Sequence, residues 1–94
     1  MRVVHCGKDR YTHYIGRPSP LGNPYAFGES SLPGVINVGN RGEAIQMFEK
    51  EVRASLHLIT LIAALPADAI LGCFCKPRAC HGDVIVRIWK EIHE

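Results

Sequence analysis

Residues 69–74, Ala-Ile-Leu-Gly-Cys-Phe, form a run without one charged or hydrogen-bonding side chain apart from a thiol, set between Pro66-Ala67-Asp68 and a segment crowded with cysteine. A strand of that composition offers no polar face to water, and such strands sit in parallel sheets with both faces covered. A partner strand is visible at the amino terminus, where Arg2-Val3-Val4-His5-Cys6 is β-branched at its centre and ended by Gly7. If the two run parallel, His5 and Cys6 finish at the same sheet edge as Cys73. In open parallel sheets, ligands bind in the crevice outside the carboxyl ends of the strands.

The rest of the chain supplies helices to cover such a sheet. Residues 43–65 contain neither proline nor glycine, and Ala44, Ile45, Phe48, Val52 and Leu56 recur at helical spacing. As one helix the stretch would be about 34 Å long, against a diameter of roughly 30 Å for a domain of this size. A break near residues 55–57 into two helices is therefore expected. Across residues 82–93, Val84, Ile85, Ile88, Trp89 and Ile92 form one stripe opposite Arg87, Lys90 and Glu91, the pattern of an amphipathic helix. With 94 residues, 47% of them hydrophobic, the chain has material for one core and no second. The order strand, loop, helices, strand, helix predicts a small single-domain α/β fold over residues 1–94. Its expected centre is a Rossmann-like sheet of at least two parallel strands, flanked by helices and carrying a long Gly/Pro-rich loop.

That loop draws in six of the nine glycines and four of the six prolines, all between residues 16 and 42, so turns dominate it, with short extended pieces expected at 14–16 and 34–38. Tyr11, Tyr14, Tyr25 and Phe27 give it aromatic anchors, and loops of this length in small domains are usually functional. Within Tyr14-Ile15-Gly16-Arg17-Pro18-Ser19-Pro20-Leu21-Gly22-Asn23-Pro24-Tyr25, Arg17 offers a planar fork suited to phosphate or carboxylate. Gly16 and Gly22 permit turns and close approach of a ligand. Asn23 can read an amide or base edge, and Tyr25 can stack on a ring. A rigid surface loop with Arg17 solvated or paired to an acid accounts for the same residues.

Cys73-Phe74-Cys75-Lys76-Pro77-Arg78-Ala79-Cys80-His81-Gly82-Asp83 holds three of the four cysteines at the junction of the apolar strand and the last helix. Three readings stay open. Cys73, Cys75, Cys80 and His81 supply the four sulfur and nitrogen ligands of a zinc site, with His5 or Cys6 able to replace one. Alternatively Cys80, near a helix start and beside Lys76, Arg78 and His81, is a reactive thiolate. In the third, Cys73 is a small buried hydrophobe and the others are incidental. For catalysis, His81 is the acid–base candidate beside Cys80. Asp83 then either orients it or, as acids commonly do, occupies the first turn of the helix. A phosphatase-type loop after Cys6 is excluded, because only three residues separate it from Arg10 and cannot ring a phosphate.

The net charge of +2 is too small to indicate nucleic acid or membrane binding on its own. No apolar run approaches the roughly 20 residues of a membrane span, and Met1-Arg2-Val3-Val4-His5 lacks the pattern of an export signal. The expectation is a cytoplasmic chain, where reduced thiols favour metal binding or chemistry over disulfides. Trp89 and the apolar stretch 56–65 leave room for a homodimer through the helices.

Three segments together carry a resemblance over nearly the whole chain: Tyr14 to Tyr25 as written above, Arg41-Gly42-Glu43-Ala44-Ile45, and Cys73-Phe74-Cys75-Lys76-Pro77-Arg78-Ala79-Cys80-His81-Gly82-Asp83-Val84. The pattern resembles the domain of unknown function 4326 family, small proteins of phages and bacteria. The resemblance places the family's characteristic residues on Gly16, Arg17, Gly22, Asn23, Pro24, Cys73, Cys75, Pro77, Cys80, His81, Gly82 and Asp83. His5-Cys6 departs from it, since the family commonly has no thiol there. The family name brings no established reaction. The residues point to a nucleotide or a nucleic-acid-derived phosphate as ligand, with or without turnover. A zinc-stapled module binding another protein and a non-catalytic nucleotide-sequestering protein are the alternatives.

Overall fold

A computed structural model describes residues 1–17, 19–27 and 35–94. Its elements are β1 (Arg2–His5), β2 (His13–Tyr14), β3 (Tyr25–Phe27), β4 (Ile36–Val38), α1 (Arg41–Arg53), α2 (Leu56–Ala63), β5 (Ile70–Cys73) and α3 (His81–Ile92). The apolar run forms β5 and lies in the middle of a three-stranded sheet, β1-β5-β2, with both neighbours parallel to it. Val4 and Tyr14 flank Gly72 in register, so the carboxyl ends of the three strands finish together. The described residues thus form a small α/β fold with three helices and parallel strands, and the anticipated pairing of the amino-terminal strand with residues 70–73 is present.

The two faces of β5 are covered by different means. Leu71 and Cys73 are buried in the core with Phe48, Val52, Ile62, Ile85 and Ile88. On that side α3 comes down onto the sheet at Gly82, where a Cβ would stand 2.8 Å from methyl groups of both Val3 and Ile15. Only a residue without a side chain allows the helix start to lie this close. On the other side Gly72 makes room for the ring of Tyr11, whose Cγ would be 2.7 Å from an added Cβ. The second covering layer is therefore an aromatic ring from the β1–β2 connection, not a helix.

The helical stretch breaks as its length requires, at Ala54-Ser55. Ser55 caps α2 by accepting a hydrogen bond from Leu58 N at 3.2 Å. At the other end of α1, Asn40 Oδ1 accepts from Glu43 N at 2.8 Å while Glu43 reaches back to Gly39 N at 3.1 Å. These reciprocal bonds satisfy donors that the helix itself cannot pair. Trp89 donates to the carbonyl of Leu65 at 2.8 Å and packs against the core, so part of the apolar surplus is used within the chain. Leu56 remains 82% exposed.

The glycine- and proline-rich region is more structured than turns alone. β3 and β4 pair in parallel as a second small sheet, Tyr25 opposite Ile36 and Ala26 opposite Asn37. The strand at residues 25–27 was not expected from the sequence. Pro18, Gly28, Pro33 and Gly34 lie outside the described residues. Among those described, no helix is long and apolar enough to cross a membrane.

Candidate metal and anion site

β5 ends at Cys73, and the chain then turns away from the sheet. A turn closed by Arg78 N on Cys75 O at 2.9 Å brings it back to Cys80, the N-cap of α3. The result gathers the sulfurs of Cys73, Cys75 and Cys80 within 4.8 Å of one another, with Cys80 Sγ 2.9 Å from Cys73 Sγ. All are free thiols. Tetrahedral zinc with Zn–S bonds near 2.3 Å requires sulfurs about 3.8 Å apart, so this trio needs only small adjustments to hold such an ion. Cys6 and His5 do not join the group, although Cys6 N bonds the carbonyl of Cys73 at 2.9 Å. Both residues reach the same edge, and their ligand atoms lie outside the sulfur group.

His81 occupies the first turn of α3 and is buried edge-on against Phe48, ring centroids 4.9 Å apart. Its Nε2 lies 2.7 Å from the carbonyl oxygen of Ile15. A carbonyl only accepts, so Nε2 carries the proton and Nδ1 has a free lone pair, 3.5 Å from Cys80 Sγ. Burial pushes the imidazole pKa down, which keeps it neutral. Metal-bound histidines commonly donate their second nitrogen to a backbone carbonyl in this way. The compact metal-ligating group itself nevertheless comprises the three sulfurs, and His81 stands beside it at Cys80.

The thiols do not share their charge equally. Hydrogen bonds from Cys73 and Cys80, with Arg41 close by, hold the Cys75 thiol well below the usual thiol range. Cys80 is pushed up by its bonds to the other two thiols and by burial, and Cys73 is raised chiefly by its bond with Cys75. Cys80 is buried at the start of α3. It is a buried donor that also caps α3, its Sγ accepting from Gly82 N at 3.3 Å. Three thiolates this close repel one another unless a cation lies between them, and a coordinated thiol is deprotonated outright.

A cleft of about 630 Å³ opens above the sulfurs, where the ends of β5 and β2 meet the starts of α1 and α3. Arg17, Arg41, Lys76 and Arg78 line it, and no aspartate or glutamate is among its described lining residues. Two helix N-termini add partial positive charge to the same space. Arg41 Nη1 bonds the carbonyl of Ala79 at 3.4 Å. Arg78 is exposed.

Of the expected ligand-contacting loop residues, Gly16, Arg17, Asn23 and Tyr25 line the cleft, and several also bond within the fold. Arg17 donates Nε to Asn23 O at 2.5 Å and Nη2 to Tyr25 O at 3.2 Å, bracing the loop from within. Asn23 is buried, with Nδ2 on Ala44 O at 3.1 Å and Oδ1 accepting from Tyr25 N at 2.9 Å. Its amide holds the loop against α1 at the wall of the cleft. Replacing Asn23 with alanine leaves these buried partners short of a bond and is expected to cost about 1–3 kcal/mol, readable as a lower midpoint in urea. Gly16 lines the cleft, whereas Gly22 closes a tight turn, its N donating to Ser19 O at 2.9 Å. Tyr25 lines the cleft, its pKa raised by burial and by the Glu51 carboxylate. Asp83 accepts from Cys80 N at 3.2 Å and from Lys76 Nζ at 2.6 Å, the helix-start role.

Sequence reasoning passed over Arg41 as a site residue. The signal was present: Asn40 followed three residues later by Glu43 marks a helix start, which puts Arg41 at its first position.

A 40% identical stretch of 55 residues relates this chain to an uncharacterised 12.4 kDa protein in the nrdA-td intergenic region of Enterobacteria phage T4. The match covers 55% of this chain and 51% of the phage protein, so the chain spans about half the length of that relative. No solved structure matches the chain. A family model described as a domain of unknown function, DUF4326, matches residues 4–91, a span that takes in the three thiols, His81 and the cleft cations, and the chain belongs to that family.

Proposed function

We propose that this protein binds a phosphate-bearing, nucleotide-like ligand in the cleft at the strand ends, over a zinc ion held by Cys73, Cys75 and Cys80. The observation that carries the reading is the lining of the cleft. Arg41 and Arg78 line one space with two helix N-termini and three clustered thiols, beside Arg17, which braces its loop, and Lys76, which pairs with Asp83, and no carboxylate is among the described lining residues. Its place outside the carboxyl ends of parallel strands matches the general location of ligand sites in Rossmann-like sheets. A fourth metal position falls to His81 Nδ1 or to a ligand entering from the cleft. Binding is favoured over turnover, because the only proton His81 carries is donated to Ile15 O and Asp83 is committed to Cys80 and Lys76.

The test is isothermal titration of zinc-loaded protein with pyrophosphate and with nucleoside triphosphates. Arg78→Ala, at an exposed position, is expected to weaken binding roughly tenfold, the size of one charge-assisted hydrogen bond, with an unchanged melting temperature. Equal affinities for Arg78→Ala and the parent protein would remove the cleft as the anion site. Interaction with another protein, with zinc serving only as a staple, predicts no binding of either anion.

A further inference from the structure

Each strand of the main sheet delivers one ring to the carboxyl edge: His5 at the end of β1, Tyr14 at the end of β2, and Phe74 immediately after β5. The rings form a chain. His5 and Phe74 are 6.0 Å apart, Phe74 and Tyr14 6.1 Å, and Tyr14 and Tyr11 6.2 Å. Phe74 is 66% exposed and Tyr11 44%. Phe74 and Tyr14 line the basic cleft, whereas His5 and Tyr11 lie outside that lining, so the aromatic ledge runs out of the cleft onto open surface.

A single exposed phenylalanine needs no explanation. Its position does: it bridges the rings of two other strands and stands beside Lys76 and Arg78. Cationic side chains next to a row of accessible rings are the two components of single-strand nucleic-acid binding, in which the charges follow the backbone and bases stack on rings. A mononucleotide has one base and occupies one ring. Resting on the cleft reading above, we infer that the ligand is a single-stranded nucleic acid, with phosphates at Arg41 and Arg78 and successive bases on Phe74, Tyr14 and Tyr11.

Fluorescence anisotropy with a labelled ten-nucleotide oligothymidylate tests this, beside an abasic deoxyribose-phosphate oligomer of equal length, thymidine triphosphate, a ten-base-pair duplex, and pyrophosphate as competitor. The oligothymidylate should bind at least tenfold tighter than the abasic oligomer, the triphosphate or the duplex, consistent with the gain from stacking one or more bases. Phe74→Ala should erase the margin over the abasic oligomer while leaving pyrophosphate competition and the melting temperature unchanged. Phe74→Trp should restore it. Equal binding of the oligothymidylate and the abasic oligomer overturns the ledge and leaves the cleft reading standing. Triphosphate bound as tightly as the oligomer overturns the strand in favour of a mononucleotide. A duplex bound as tightly as the single strand overturns it likewise. Failure of every probe, pyrophosphate included, ends both readings.

Discussion

Protein purified without added metal is expected to carry close to one equivalent of zinc, and to lose both the metal and most of its stability when Cys80 is replaced by alanine. Cys80 stands at two junctions, as the sulfur 2.9 Å from Cys73 and as the N-cap of α3. Thiolate-held structural zinc contributes roughly 10–16 kcal/mol of apparent binding free energy, as large as the whole stability of an ordinary domain, about 5–15 kcal/mol. Chelation should therefore lower the melting temperature of the intact protein by about 40 °C or more, or unfold it outright, at about 4–8 °C per kcal/mol for a chain of this length. Cys6→Ala is the control, since Cys6 lies outside the sulfur group. It should keep full metal content. Less than a tenth of an equivalent in the parent protein, with no effect of chelator, would refute the metal site and reduce the three cysteines to packing.

Phe48→Ala is expected to cost about 3–5 kcal/mol, the range for removing a fully buried aromatic side chain, and to lower the melting temperature by roughly 15 °C or more. Phe48 lies in the middle of the core and packs its ring against the imidazole of His81. Its loss opens a void directly behind the site. The effect should therefore appear in metal affinity as well as in thermal unfolding. Leu56→Ala, on the same helical stretch but exposed to solvent, should change stability by no more than about 0.5 kcal/mol. A loss below about 1 kcal/mol for Phe48→Ala would mean that α1 does not pack on α3 as described.

How far the sequence could be read depended on the range over which each signal acts. The β1–β5 pairing was legible because residues 70–73 have no polar side to expose, which leaves few places for such a strand. The break between α1 and α2 was legible from length alone, and Ser55 supplies its chemistry. β3 was not legible. Three residues give no periodicity, and Tyr25-Ala26-Phe27 follows Pro24 in a stretch whose composition suggests turns. The cysteine cluster was readable as a neighbourhood, since its members lie within eight residues, while the separation of Cys6 from it depends on where one strand releases its side chain. Arg17 and Asn23 show a different limit. Both are ligand-type side chains by chemistry, but Asn23 bonds Ala44, 21 residues away, and Arg17 turns back onto its own loop. Polar groups that bind a ligand and polar groups that bind the fold look alike until those partners are known.

The order of strands in space also sets an order in time. β5 lies at the centre of the sheet but is the last strand in the chain, and β1 pairs with it across an interval of 68 residues, Arg2 with Ile70. During synthesis from the amino terminus, β1 and β2 are made first and have no neighbour to bond until residues 70–73 leave the ribosome. Contacts between such distant segments form slowly, because the intervening loop must close before anything is gained. The sulfur cluster follows the opposite course, since its three residues emerge together within moments of one another. A nascent chain would thus hold two waiting strand edges until residues 70–73 are made, and would complete this sheet and its thiol cluster almost at once.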